Sequence, residues 1–106
     1  MHAIWDTAMA EQAISAAQPP LVRRYSAAER AEWATGTTED WLRESWQISR
    51  DFLYPQVFGG ALTCGVAPPK DGVWSDTAIA ASLPIIEERI EKAGLRLAKM
   101  LDKALN

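Results

Sequence analysis

The sequence predicts an all-α fold, a helical bundle of about four helices with one long loop over residues 55–75. Three observations lead there. Eighteen alanines stand against six glycines, and leucine, glutamate and lysine, all good helix formers, are well represented. Valine, isoleucine and threonine are scattered and never gather into alternating runs of strand length. Apolar residues recur instead at helical spacing, most clearly at Ile86, Ile90, Ala93, Leu97, Met100 and Ala104. With 106 residues and 48% hydrophobic content, the chain holds at most one domain with a modest core.

The elements follow in order. Residues 4–17 read as a first helix, ended by Pro19-Pro20. His2, Asp6, Met9 and Ala13 fall along one side of it, and Ile4, Ala8 and Ile14 along another. Ser26 is placed to cap a short second helix running through Trp33, with Glu29 completing a capping box and Gly36 stopping it. Thr37 caps the next helix, whose first turn carries Glu39 and Asp40 where the helix dipole favours negative charge. Along it, Trp41, Ser45, Ile48 and Phe52 form one stripe, and Leu42, Trp46, Ser49 and Leu53 form its neighbour. Arg43, Glu44, Gln47, Arg50 and Asp51 lie opposite, so both tryptophans are expected in a wide buried face.

Tyr54-Pro55 is expected to end that helix and to open the loop of residues 55–75, which is dense in glycine and proline. A loop of this length is expected to be functional or draped over a larger body. Ser75 or Asp76 caps the final helix, which Pro84 kinks or splits. Gly94 inside it costs about 1 kcal/mol relative to alanine, and its presence predicts close approach of another helix.

Several function classes drop out on composition. Cys64 is the sole cysteine, so an internal disulfide and a cysteine-based zinc site are both excluded. No stretch is long and apolar enough for a membrane span, and the amino end has no basic segment followed by an apolar run. The net charge of −3 supplies no field for holding a polyanion, so a nucleic-acid partner would need bound cations for much of the attraction. Lys92, Arg96, Lys99 and Lys103 make a basic line on the last helix, read here as a solvated face rather than a phosphate track.

The residues richest in chemistry are His2 and Asp6. The only histidine precedes an aspartate by four positions, a spacing that puts the two β-carbons about 5–6 Å apart on one side of a helix. Both can then reach one cation, with donor atoms about 2.0–2.2 Å from a zinc ion. A closed zinc site takes four ligands and a catalytic one takes three from the protein. Two donors make half of a site, and the plainer reading of such a pair is a surface contact.

Three segments in order resemble the S1/P1 nuclease family, zinc-dependent single-strand nucleases related to bacterial zinc phospholipases C. His2-Ala3-Ile4-Trp5-Asp6 is similar to the family's H-x-x-W-D element. Gly36-Thr37-Thr38-Glu39-Asp40-Trp41 with Glu44-Ser45 resembles its G-T-x-x-x-W-x-x-E-S segment. Pro84-Ile85-Ile86 and Ala93-Gly94-Leu95-Arg96-Leu97-Ala98, with Leu105-Asn106, resemble its closing helix. The likeness runs over nearly the whole chain.

The resemblance implies an all-α enzyme built around three zinc ions, cleaving phosphodiester bonds of single-stranded DNA or RNA. It implies His2 and Asp6 as two ligands of one zinc, with no other catalytic residue assigned. Because the remaining ligands of the family precede this motif, it also implies that the 106 residues form a single partial domain, the C-terminal portion of the nuclease domain. Such a chain is expected to be inactive alone and to self-associate through exposed apolar helix faces. The family's members are typically secreted or periplasmic. Ala8 stands where some members carry a base-stacking aromatic, which puts the nucleobase pocket in doubt. Two other readings remain beside this one: a non-enzymatic helical module that packs on a partner through the Trp41/Trp46 face or the C-terminal seam, and a phospholipase-like hydrolase.

Overall fold

All regular secondary structure among the described residues is helical, as the composition predicts. A computed structural model describes residues 3–17, 24–60, 63–67 and 69–106. A π-helical segment, Ala3–Met9, runs into α1 (Ala10–Ala16), followed by α2 (Ala27–Trp33) and α3 (Thr38–Ile48). A second π-helical segment, Ser49–Leu53, then leads into α4 (Tyr54–Phe58), and α5 spans Asp76–Leu105. The chain divides into two compact units, Met1–Gly36 with Leu83–Asn106, and Thr37–Ser82.

In the first unit, Met9, Ala13 and Ala17 form the buried stripe of the opening helix, spaced by four as one helical face requires. Pro19 and Pro20, expected to end this helix, lie outside the described residues. Ser26 caps α2 as its sequence predicts. The Glu29 N–H donates to Ser26 Oγ at 3.2 Å, and the Ser26 N–H donates back to Glu29 Oε2 at 2.8 Å. Gly36 follows α2 at φ +86°, a conformation that glycine adopts without the steric cost of a Cβ.

The second unit opens on a second capping box. The Asp40 N–H donates to Thr37 Oγ1 at 3.3 Å, and the Thr37 N–H returns to Asp40 Oδ2 at 2.8 Å. The sequence expectation that Tyr54-Pro55 ends this helix is corrected here. The chain stays helical to Phe58, and Gly59 closes it in the left-handed region at φ +73°. The π segment accounts for the difference. The Tyr54 N–H bonds to Ser49 O, five residues back, so the ladder is already widened where Pro55 enters. A proline in the first turn of the new α-helical stretch forfeits no hydrogen bond that the turn needs.

The expected loop therefore begins later, after Phe58, and the next helix starts at Asp76. The far end of that loop is anchored on α4: the Val73 N–H donates to Val57 O at 3.0 Å. Beside it, a Cβ on Gly72 would stand 2.3 Å from Val57 Cγ1, so only glycine fits. Val57 is accordingly buried.

Helix α5 begins at a serine cap, with the Ala78 N–H donating to Ser75 Oγ at 3.1 Å. Pro84 does not split it: the helix is continuous from Asp76 to Leu105. Proline lacks the N–H that would bond Ala80 O, and the boundary between the two units falls just before it, at Ser82 and Leu83. One further expectation is corrected. Among the described residues nothing approaches within 4 Å of a Cβ placed on Gly94, so close contact with a described helix does not explain that glycine. The apolar seam is buried only where it starts. Ile86 is 3% exposed, whereas Leu97 and Met100 are more than half exposed, as are Leu105 and, at one half, Leu101.

Candidate functional site

Asp6 lies in the opening π-helical segment and is exposed, on the flank of the Met9–Ala13–Ala17 stripe. That stripe is buried, while Asp6 stays at the surface. Trp5 beside it is half-buried and Ala8 is exposed. His2 lies outside the described residues. The sequence predicts an α-helical opening turn; the π form it takes is rare.

A zinc site needs three or four donors. Among the described residues, no group of three or more His, Cys, Asp or Glu side chains is arranged to hold a metal. Asp6 offers one carboxylate, a donor of suitable chemistry, so the described residues fit a part of a metal site and not a whole one. No hydrolytic step follows from them. Cys64 is exposed, and among the described residues no helix is long and apolar enough to cross a membrane.

Of the basic line of α5, Lys103 is exposed, as a solvated face requires, but Lys92, Arg96 and Lys99 have a different role from the one their sequence predicts. Arg96 is buried, and its Nε–H donates to Trp33 O at 3.0 Å. Lys99 Nζ donates to Ala34 O at 2.8 Å. Lys92 pairs with Glu88 at 2.6 Å and lies 5.1 Å from the centroid of the Trp33 ring. These cations meet the carboxyl end of α2, where the last carbonyls lack helical donors and the dipole is negative. They fasten α5 to α2 and are committed there. Periodicity within α5 could not reveal this, because the acceptors lie more than sixty positions earlier in the sequence.

Next to this junction the Arg24 guanidinium pairs with Glu87, which is buried. The Tyr25 ring meets Trp33 edge-on, with centroids 4.6 Å apart. Burial is the main cause that pushes the Tyr25 phenol above its usual range. The Arg24 charge opposes it, while Glu87, Glu88 and Glu91 add to the rise.

In the second unit the expectation that both tryptophans of α3 are core is corrected. Trp41 is half-buried, but Trp46 is 54% exposed and its neighbour Leu42 71%. Glu39, Leu42, Arg43 and Trp46 line an open groove along the helix. Arg50, one turn on, lies over the Trp46 ring at 4.3 Å from the centroid and pairs with Asp51. The sequence sets Arg50 on the face opposite the Trp46 stripe, so this contact is a second correction beside the exposure of the ring. Trp74 is half-buried in the loop.

Against this geometry, the sequence model described as S1/P1 Nuclease matches residues 1–106, the full extent of the chain. No curated protein and no solved structure matches it.

Proposed function

The chain belongs to the S1/P1 nuclease family, and on that premise we propose that it serves in zinc-dependent hydrolysis of phosphodiester bonds in single-stranded DNA or RNA. The family match along the whole chain carries this reading. Within it, His2 and Asp6 are two ligands of one zinc ion, and the accessible position of Asp6 on its helix agrees with that role. The carboxylate offsets part of the metal's charge, and a neutral imidazole completes the pair without adding any. Bound zinc would supply a water ionised near neutral pH and charge for the developing phosphate oxygens. Secretion to the cell exterior or periplasm belongs to the same reading.

Two donors hold a zinc ion weakly and do not build a catalytic cluster, so the chain by itself is expected to leave single-stranded DNA uncut in the presence of zinc. Robust cleavage by the purified chain would overturn that expectation. Zinc affinity tests the donors directly: His2→Ala and Asp6→Ala are each expected to weaken binding about tenfold or more, the scale on which loss of a ligand-shell group acts. Unchanged isotherms in both variants would remove these residues from the metal.

One observation favours a second reading, a helical module that packs on another protein. Leu97, Met100, Leu101 and Leu105 leave the last turns of α5 apolar and open. Light scattering decides whether this surface drives self-association: the expected result is a mass above that of the single chain, lowered by Leu101→Lys.

A further inference from the structure

We infer that α5 pairs with α5 of a second copy of this chain, antiparallel, in a register that sets Gly94 against Leu105 and Ala98 against Leu101. Self-association through α5, the second reading above, is the premise; the orientation and the register go beyond it. Gly94, Ala98, Leu101 and Leu105 repeat at a 4-3-4 spacing, which places them within about 60° of one another around a helix. All four are exposed. Lys92, Arg96 and Lys99, which fasten α5 to α2, leave from the other side of the helix. Holding α5 within its own chain therefore leaves this row bare.

Size decides the orientation. In an antiparallel pair about a two-fold axis, the positions that meet share one midpoint. Gly94 with Leu105 and Ala98 with Leu101 share such a midpoint, between Lys99 and Met100. Every layer then sets a small residue against a leucine, and the layers fill alike. A parallel pair would set Gly94 against Gly94 and Ala98 against Ala98, leaving voids at one end and crowding leucines at the other. Gly94 also gains a purpose that its own chain does not supply, because among the described residues nothing lies within 4 Å of a Cβ there. Leu97 and Met100, more than half exposed beside the row, widen the apolar contact. No charged side chain belongs to the row, so pairing buries none. Four large apolar side chains from each copy make an interface near the lower limit for specific association, roughly 1,000 Å² in total. The pair is accordingly reversible and forms with rising concentration.

The experiment is sedimentation equilibrium of the full chain over a concentration series, with EDTA and a thiol reductant so that neither metal nor the exposed Cys64 links the copies. The parent is expected to pass from monomer to dimer. Gly94→Leu is expected to raise the dissociation constant about tenfold or more, because leucine then meets leucine. Leu105→Ala alone, at the last residue of α5, is expected to weaken pairing as well. Combined, the two substitutions rebuild a small-against-large layer with the sizes exchanged, and association is expected to return toward that of the parent. Circular dichroism checks that each variant keeps its helices. A parent that stays monomeric throughout overturns the pairing and self-association together. Association that Gly94→Leu leaves unchanged or strengthens, or that the double variant fails to restore, overturns the antiparallel register while self-association stands.

Discussion

Trp33 and Trp46 each lie under a cation, and the two pairs have opposite consequences. At Trp33 the cation is Lys92, fifty-nine positions later in the chain, 5.1 Å from the ring. At Trp46 it is Arg50, one helical turn away, at 4.3 Å. The distant pair joins α2 to α5 and comes with two further cations on the α2 carbonyls. The local pair forms in any folded copy of its own helix and joins nothing. A contact between distant positions restricts the fold, while one within a turn only dresses a surface. The comparison explains why similar residue types serve structure in the first unit and stay at the surface in the second.

The strongest way to break this contrast is to remove a cation from each side. Arg96→Ala is expected to cost about 2–3 kcal/mol, because the Trp33 carbonyl loses a charged donor at a buried site. Urea unfolding measures it. Trp46→Leu is expected to fall within about 0.5 kcal/mol of the parent protein, as exposed surface changes do. Equal losses would erase the distinction between the two tryptophan–cation pairs.

The second unit has its own structural anchor, and it is not Trp46. Gly72→Ala is expected to cost about 1–3 kcal/mol by driving a methyl group into Val57. Amide exchange at Val73, whose N–H is bonded to Val57, should speed up. Retained protection there would show that the loop end is held by something else.

A smaller effect comes with pH at the first unit alone. Burial raises the Tyr25 phenol above its ordinary value of about 10, so the folded state prefers the neutral form. That stability is complete below the unfolded value and is lost as pH climbs through the raised folded one. Thermal unfolding of the parent is therefore expected to weaken above about pH 10 more steeply than that of Tyr25→Phe. Identical alkaline profiles would take Tyr25 out of the buried junction.

Local chemistry was well legible in the sequence. Ser26 with Glu29 forms the capping box that its spacing predicts, Thr37 caps its helix as expected with Asp40 closing an unforeseen box, and Ser75 is the one of the two candidates, Ser75 or Asp76, that caps α5. Gly36 ends its helix for the same kind of reason. The misjudged points depend on distant partners or on rare backbone. Pro55 reads as a stop unless the π turn before it is known, and no residue pattern announces that turn. The basic line of α5 reads as solvated because its acceptors, Trp33 O and Ala34 O, are backbone atoms. Leu97 and Met100 continue an apolar period, but periodicity cannot say whether anything covers it. At the candidate site, the motif spacing places Asp6 on a helix, and its open position is a matter of which neighbouring side is buried.

Because the chain has a single histidine, its imidazole is a lone reporter of metal binding. The most direct measurement is the NMR shift of the His2 ring as zinc is added, in the parent protein and in Asp6→Asn. The account predicts a zinc-dependent shift that Asp6→Asn suppresses, because both side chains hold one ion. A His2 signal that ignores zinc, or one that moves equally in both proteins, would contradict it.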